Sequence, residues 1–145
     1  MKTEGFHIRN FEERDYKKVV ELWDESGLNF PERGDSLEIV LDSIRIGGQL
    51  FVVENREKQI VATAWITFDG RRLHLHHVGV KHPYRGKGVG KSLVSHCIMF
   101  AKNKGYQLKL EVHRENQSAI DLFTNAGFKY LGDYNVYIMR DFSHI

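Results

Sequence analysis

The sequence predicts a single domain of the mixed α/β class, because strand-like and helix-like patterns alternate along its whole length. The length of 145 residues is that of one domain, so we expect one domain over residues 1–145. Apolar residues make up 41%, aromatic residues 12% and charged residues 28%, which is typical of a globular protein with a sizeable core.

The first part of the chain predicts one strand followed by two helices. Residues 6–11 alternate apolar and polar side chains, as a strand does. Helical spacing of apolar residues runs over 15–27 and again over 35–47, where a capping box opens the second helix. The loop between these helices, residues 28–34, contains Phe30.

Three strands follow, at residues 49–54, 59–68 and 73–80, each rich in β-branched, aromatic or alternating apolar residues. An Asp-Gly pair at 69–70 predicts a hairpin turn between the last two. Gly79, inside the third of these strands, predicts either a bulge or a close backbone approach.

The remaining elements complete the predicted order β-α-α-β-β-β-α-β-α-β-β. We expect a helix over 88–103, a strand over 106–112 and a short helix over 116–127. A closing hairpin over 128–131 and 134–140 follows. The sequence thus predicts about seven strands and four helices.

Charge, cysteine content and hydropathy exclude several classes of protein. A net charge of +2 argues against a role in nucleic-acid binding. The only cysteine, Cys97, lies on an apolar helix face, and one cysteine excludes an intrachain disulfide and a cysteine-rich zinc module. The first residues lack the apolar core of a signal peptide, and no apolar run approaches the roughly 20 residues that span a bilayer. We expect a cytoplasmic protein without a membrane segment.

The densest chemical signal is the sequence HPYRGKGVGKS at residues 82–92, between a predicted strand and a predicted helix. Glycines allow close backbone approach, and the N–H groups at a helix start bind phosphate. A nucleotide-hydrolase loop requires a glycine where Arg85 stands, and the dinucleotide fingerprint requires one where Lys91 stands. The pattern [RQ]-x-x-G-x-[GA] is satisfied by Arg85, Gly88 and Gly90. The alternative is a helix N-terminus that only needs turn glycines.

Three segments together resemble the GCN5-related N-acetyltransferase (GNAT) family. They are V-G-V-x-x-x-Y-R-G-K-G-V-G over 78–90, L-E-V over 110–112 and N-x-x-A-x-x-L-F-x-x-x-G-F over 116–128. The small size and the two early helices resemble bacterial and archaeal members that include ribosomal-protein N-terminal acetyltransferases. The resemblance implies a mixed central sheet of about seven strands, split between the fourth and fifth strands and flanked by four helices.

The resemblance also implies that acetyl-coenzyme A is the acetyl donor. Its pyrophosphate is expected on the glycine loop, and its pantetheine arm in the split beside the bulged strand. No metal is expected, since His74 and His76 lack an obvious third ligand. The implied coenzyme-binding residues are Val78, Gly79, Val80, Arg85, Gly86, Lys87, Gly88, Val89, Gly90, Lys91, Ser92, Asn116 and Phe123.

His74 and His76 are the candidate general bases, because acetyl transfer to an amine requires removal of a proton. They are two residues apart in a strand, so we expect both on one side, shared with Val78 and Val80 unless a bulge at Gly79 breaks the alternation. Some arylalkylamine-acetylating members of the family carry histidines at the two matching positions. The alternative is a half-buried or solvated pair without a catalytic role. His77 is expected to point the other way, as a structural residue.

The proton donor departs from the family pattern. Many members carry tyrosine where this chain has Phe123, and phenylalanine cannot protonate the leaving thiolate. Tyr134 and Tyr137 on the predicted closing hairpin are the candidate replacements, and water is the third. A domain that binds coenzyme A only as a sensor or scaffold is therefore the alternative to an enzyme.

The resemblance implies an amine-bearing acceptor, either a small molecule or a protein amino group such as an N-terminus or a lysine. Its expected contacts are Trp23, residues 28–35 and residues 132–135, which mix aromatic, acidic and basic types. No nucleic acid or membrane partner is expected, and the assembly is either a monomer or a homodimer.

Overall fold

The computed structural model describes residues 4–29 and 31–145. Phe30, which the sequence placed in the loop after the first helix, lies outside the described residues. The strands are β1 (His7–Asn10), β2 (Gln49–Glu54), β3 (Ile60–Phe68), β4 (Leu73–Val80) and β5 (Leu108–Leu110). The helices are α1 (Tyr16–Glu25), α2 (Leu37–Arg45), α3 (Val89–Lys104) and α4 (Gln117–Ala126).

The five strands form one mixed sheet in the order β1-β2-β3-β4-β5. Strands β1 to β4 pair antiparallel, whereas β5 pairs parallel to β4. Alternate residues of β2 enter two different clusters: Phe51 and Val53 pack with α3 and α4, while Leu50 and Val52 pack with α1 and α2. The helices therefore cover both faces of the sheet, as the predicted α/β class requires.

Local signals explain most of the helix boundaries. The Ser36 side chain caps α2 by accepting a hydrogen bond from the Ile39 N–H at 3.2 Å. The helix is therefore capped by Ser36 alone, and not by the predicted capping box over residues 35–38, because Ile39 at the third helical position has no polar side chain to complete it. Asp35 lies beside His77 instead. Helices α3 and α4 end at Gly105 and Gly127, both with the positive φ that glycine tolerates.

The prediction of about seven strands is wrong, because the described residues form five. Residues 128–131 and 134–140 form no strand, and β5 spans three residues rather than the predicted seven. All of residues 129–145 are exposed. A strand needs a neighbouring strand to pair its N–H and C=O groups, and none of the described strands pairs with this segment. Its apolar sequence is strand-like, but that pattern does not identify the pairing partner.

Two further observations concern the single cysteine and the membrane-spanning segment that the sequence analysis considered. Cys97 is fully buried in α3, and burial raises the pKa of its thiol to about 12, so it is a core residue. In the part of the chain that the structure describes, no helix is both long and apolar enough to cross a membrane.

Candidate active site

The sheet splits between β4 and β5. Their pairing covers three residue pairs, from Leu73 with Leu108 to Leu75 with Leu110. Strand β4 continues for five more residues, to Val80, and no described strand pairs with them on that side. The main chain of residues 76–80 therefore borders an opening in which a ligand can use the hydrogen-bonding groups of a strand edge.

A bulge interrupts β4 next to this opening. His76 lies opposite Trp65 and Gly79 opposite Thr63, so two residues of β4 face one residue of β3. His77 is inside the bulge and has a φ of +50°, which is uncommon for a residue with a side chain. The bulge is therefore two residues earlier than the glycine that predicted it.

Gly79 lies against another segment, but the neighbouring atoms belong to side chains rather than to an approaching backbone. A Cβ at this position would lie 2.8 Å from Leu28 Cδ1, in the loop after α1. The absence of a side chain at Gly79 therefore gives the Leu28 side chain room to pack on the end of β4.

The bulge also separates side chains that the sequence placed on one side. Val78 and Val80 pack against the cluster around α3. His76 instead lies beside Trp65, with ring centroids 6.1 Å apart, in the cluster around α1 and α2. The expectation that residues 74, 76, 78 and 80 share one side is wrong, because the extra residue reverses the alternation.

The glycine loop opens helix α3 in the manner that anion binding requires. Gly86 and Gly88 have φ values of +75° and +83°, and Gly88 is the N-cap of α3. Among the described residues no side chain caps this helix start by a hydrogen bond, and the N–H groups of Val89, Gly90 and Lys91 precede the first one that bonds within the helix, that of Ser92 to the Gly88 carbonyl. Arg85 Nε donates to the Val80 carbonyl at 2.9 Å, which ties the loop to the end of β4.

A cavity of about 490 Å³ joins the split, the bulge and the glycine loop. Its lining includes ten of the predicted coenzyme-binding residues: Val78, Gly79, Val80, Arg85, Gly86, Gly88, Val89, Gly90, Lys91 and Asn116. The predicted residues Lys87, Ser92 and Phe123 are not part of it. The other lining residues are Ser26, Leu28, Tyr84, Ser118, Ala119 and Leu122.

The lining residues that sequence reasoning missed differ in how they could have been found. Tyr84, Ala119 and Leu122 belong to the motifs that carry the family resemblance, so those motifs were the available signal. Ser26 gave no signal, because only the packing of the loop after α1 on Gly79 brings it to the cavity. Asn116 has a structural role too, as its Oδ1 accepts from the Ala119 N–H at 3.2 Å and caps α4.

The two candidate histidine bases each have one polar partner. His76 Nε2 lies 2.9 Å from Thr67 Oγ1, and His74 Nε2 lies 3.0 Å from Asp69 Oδ2. Desolvation by the surrounding protein lowers the pKa of His76, and repulsion from His77 and His74 adds to this. His76 is therefore neutral at pH 7 and able to accept a proton, although neither histidine lines the cavity itself.

His77 is a buried structural residue, as predicted, but it shares the face of His76. Its side chain is 6% exposed, and its ring lies 4.5 Å from that of Trp23 and 5.2 Å from that of Trp65. Nε2 is 3.2 Å from Asp35 Oδ2, but not in hydrogen-bonding geometry. Burial, followed by the charge of Arg33, lowers the pKa of His77 to about 4. It thus stays neutral, and its ring packs between Trp23 of α1 and Trp65 of β3.

Several other predicted site residues lie away from the cavity. Tyr134 and Tyr137 are 80% and 88% exposed, in the segment that follows α4. Phe123 is buried and packs against Phe128, with ring centroids 5.8 Å apart. Trp23 is buried too, so it cannot contact an acceptor directly. Over residues 4–29 and 31–145, no group of three or more His, Cys, Asp or Glu side chains is arranged to hold a metal ion.

We predict that Thr63→Val destabilises the protein by about 1–3 kcal/mol, since it leaves buried polar groups unpaired. The buried Thr63 hydroxyl accepts from Trp23 Nε1 and donates to the His77 carbonyl, both at 2.9 Å. Urea unfolding measures the change. Thr124→Val on the exposed side of α4 is the control and should change the free energy of unfolding little. Equal effects of the two substitutions would contradict this role of Thr63.

The split sheet, the bulge and the glycine loop are the features of an acyl-coenzyme A-binding acyltransferase domain. Residues 12–128 match the model of the Acetyltransferase (GNAT) family, so the chain belongs to that family. The resemblance seen in the sequence motifs is thereby confirmed.

One individual relative supports this family membership. N-acetyltransferase 8B of Homo sapiens is 31% identical over 107 residues, which are 69% of this chain. The chain spans about half of that protein, since the match covers 47% of it.

Two solved structures share the fold. Ribosomal-protein-S18-alanine N-acetyltransferase of Escherichia coli has a TM-score of 0.72 and 22% identity over 86% of this chain and 77% of that one. The PaiA N-acetyltransferase of Thermoplasma acidophilum, in complex with coenzyme A, has a TM-score of 0.72 and 21% identity over 86% and 89% of the two chains.

Proposed function

We propose that this chain transfers an acetyl group from acetyl-coenzyme A to a primary amine by direct attack. The observation that carries the proposal is the cavity between β4 and β5, which is continuous with the start of α3. Family membership supports the same activity.

The cavity fits the chemistry of the donor at both ends. The first-turn N–H groups of α3 and the side chain of Lys91 suit a pyrophosphate, and the positive φ of Gly86 and Gly88 turns the loop backbone toward it. The main chain of residues 76–80 suits an extended arm with amide groups, because it has no β5 partner there. These residues would hold the donor, which supplies the activated acetyl group.

The bulge supplies two groups for the reaction. A main-chain N–H freed by the bulge near Val78 to Val80 can donate to the thioester carbonyl oxygen as negative charge develops on it. His76, neutral at pH 7 and on the side of α1 and α2, takes the proton from the attacking amine directly or through one water. We place His74 as its neighbour, since the ring centroids are 6.2 Å apart.

Water is the proposed proton donor to the leaving thiolate. Tyr134 and Tyr137 are too exposed to serve there, and Phe123 has no proton to give. The sensor alternative depended on Phe123, but this ring neither fills nor borders the cavity, so it offers no reason for lost activity.

The acceptor is proposed to be an amino group that enters between the loop after α1 and the bulge. Ser26 and Leu28 form that side of the cavity, and the carboxylate of Asp35 lies nearby against His77. The names of the human and Escherichia coli relatives both denote N-acetylation, and the latter acts on a protein alanine. This supports small amines and protein N-termini as the two classes to test.

The function is tested by release of free thiol from acetyl-coenzyme A against a panel of amines. The panel contains arylalkylamines, polyamines, aminoglycosides, lysine peptides and peptides with a free N-terminal alanine. We expect acceptor-dependent thiol release and an acetylated product seen by mass spectrometry. Coenzyme binding without turnover on any amine would support the sensor alternative instead.

Coenzyme A, but not ATP with magnesium, is expected to stabilise the fold. A ligand at about 100 times its dissociation constant raises the free energy of unfolding by roughly 2.7 kcal/mol. Thermal melts with each ligand measure the effect. A shift with ATP and none with coenzyme A would contradict the proposed donor.

A further inference from the structure

The turn between β2 and β3, residues 55–59, is joined to the glycine loop by one buried side chain. Asn55 is only 9% exposed, whereas the other four residues of the turn, up to Gln59, are exposed. Its Nδ2 donates to the hydroxyl oxygen of Tyr84 at 3.0 Å, across 29 positions of the sequence. Because Tyr84 lines the cavity, this hydrogen bond links the turn to the wall of the proposed donor site.

The side-chain amide of Asn55 has a fixed orientation. Its Oδ1 accepts from the main-chain N–H groups of Glu57 and Gln59, at 3.0 Å and 2.9 Å. A main-chain N–H can only donate, so the amide oxygen must lie on that side and the amide nitrogen on the other. Nδ2 also donates to Gln59 Oε1 at 2.9 Å, which leaves its second proton for Tyr84. All four hydrogen-bonding positions of the amide are therefore used.

The hydrogen bond to Tyr84 is not needed to form the turn. The turn already has three contacts from the Asn55 side chain, and the main-chain N–H of Asn55 donates to the Gln59 carbonyl at 3.0 Å. Serine also accepts from the N–H two positions further on, so it would suit the same turn. Its side chain is one bond shorter, however, and would lose the contact with Tyr84. The contact with Tyr84 is therefore the feature that distinguishes asparagine from other turn residues here.

Tyr84 lies where the anchored backbone ends and the glycine loop begins. The Lys81 N–H donates to the Val61 carbonyl of β3 at 2.8 Å, and the Tyr84 N–H donates to the Lys81 carbonyl at 2.9 Å. Two residues further on, Gly86 has a φ of +75° and no side chain to restrict its backbone. A hydrogen bond that holds the Tyr84 side chain therefore acts at the last anchored position before the flexible part of the loop.

We propose that Asn55 is a positioning residue for the donor site. By holding the Tyr84 hydroxyl, it keeps the start of the glycine loop in the conformation that binds the coenzyme. The inference rests on the proposed function, because the ligand is taken to be acetyl-coenzyme A. A loop that is already ordered loses less conformational entropy when the ligand binds, so loss of this contact lowers affinity. One hydrogen bond corresponds to roughly 3–10-fold in affinity.

The reacting centre is not expected to depend on this contact. The turn lies at the end of the sheet where Ala62 pairs with Val80, whereas His76 pairs with Trp65. Five residues of β3 separate Ile60, next to the turn, from Trp65, and this corresponds to roughly 17 Å of strand. We therefore expect a change in donor binding without a change in the chemical step.

Two substitutions remove the contact from its two sides. Asn55→Ser keeps an acceptor for the turn, and Tyr84→Phe keeps the ring that lines the cavity. Each should weaken coenzyme A binding roughly 3–10-fold in isothermal titration. Because both remove the same contact, the double variant should bind at most about twofold more weakly than the weaker single variant. Gln59→Ala is the control, since it removes the other acceptor of Asn55 Nδ2 and should bind coenzyme A as the wild type does.

Two further measurements separate this role from a general loss of stability. With saturating acceptor, the KM for acetyl-coenzyme A should rise by the same factor in Asn55→Ser, while kcat stays within about twofold of the wild-type value. In the protein without ligand, amide hydrogen exchange over residues 84–88 should be faster in Asn55→Ser and Tyr84→Phe, and unchanged in Gln59→Ala.

Three results would each overturn the role of Asn55: wild-type affinity and exchange in Asn55→Ser, an additive double variant, or an equal loss of affinity in Gln59→Ala. If Asn55→Ser does not fold, Tyr84→Phe decides, and wild-type affinity with wild-type exchange there would overturn the proposal. If the wild-type chain binds no coenzyme A, the proposed donor is wrong, and hydrogen exchange in the free protein still decides whether Asn55 holds the loop.

Discussion

Gly90→Val is expected to weaken coenzyme A binding on the order of 100-fold, about 2.8 kcal/mol, while leaving the fold intact. A Cβ at Gly90 would lie 3.6 Å from Leu122 Cδ2 and 3.7 Å from Val80 Cγ2, which are ordinary contacts. All three residues line the cavity, so the valine methyl groups extend into the space proposed for the donor. Isothermal titration with coenzyme A measures the loss, and Gly90→Ala should have a much smaller effect.

Gly88→Val should also weaken coenzyme A binding, and it should lower the stability of the fold as well. Its φ of +83° disfavours any side chain, and the strain costs roughly 1–2 kcal/mol of stability. Gly105→Val is the matched control, because Gly105 has a φ of +85° in open space at the other end of α3. We expect the two variants to lose similar amounts of stability. Only the Gly88 variant should also lose affinity for coenzyme A. Unchanged affinity in both loop variants would show that the phosphates bind elsewhere.

The double substitution His74→Ala with His76→Ala is expected to lower kcat/KM on the order of 100-fold or more, with coenzyme affinity nearly unchanged. Wild-type kcat/KM, corrected for the neutral fraction of the acceptor amine, should rise with pH and then level off. A base acts when deprotonated, so a lowered pKa shifts this midpoint below about 6.5, the ordinary value for histidine.

The control for this prediction is His7→Ala, an exposed histidine on β1 away from the cleft. Thr67→Val removes the partner of His76 Nε2 and should reduce kcat/KM less than loss of the imidazole, by misplacing the ring. A double variant with the wild-type rate and pH profile would leave water or a main-chain carbonyl as the base.

The order of elements up to α4 was predictable because each has a local signal. Strands β2 to β4 follow their apolar patterns, and Ser36, Gly105 and Gly127 mark helix ends by the chemistry of capping. The segment after Phe128 was not predictable, because its pattern specifies a strand but not a partner. Strand number depends on pairing between distant residues, which periodicity does not contain.

The site was predictable where a motif fixes the backbone. The glycine loop and Asn116 lie on the cavity as expected, because glycine conformations and a helix cap are local properties. The side of the sheet on which His76 lies, relative to Val78 and Val80, was not predictable. A bulge of one extra residue at His77 reverses the alternation of the side chains that follow it. Gly79 signalled an irregularity nearby, but its own function is the contact with Leu28.

The packing around His77 gives the protein an intrinsic fluorescent probe. Trp23 and Trp65, the two tryptophans of the chain, lie stacked with ring centroids 5.8 Å apart, and both contact this imidazole. Their combined emission therefore reports on one place, the bulge that borders the cleft. Acceptor or donor binding that shifts β4 by a fraction of an ångström should change that emission, without a label and in the unmodified chain.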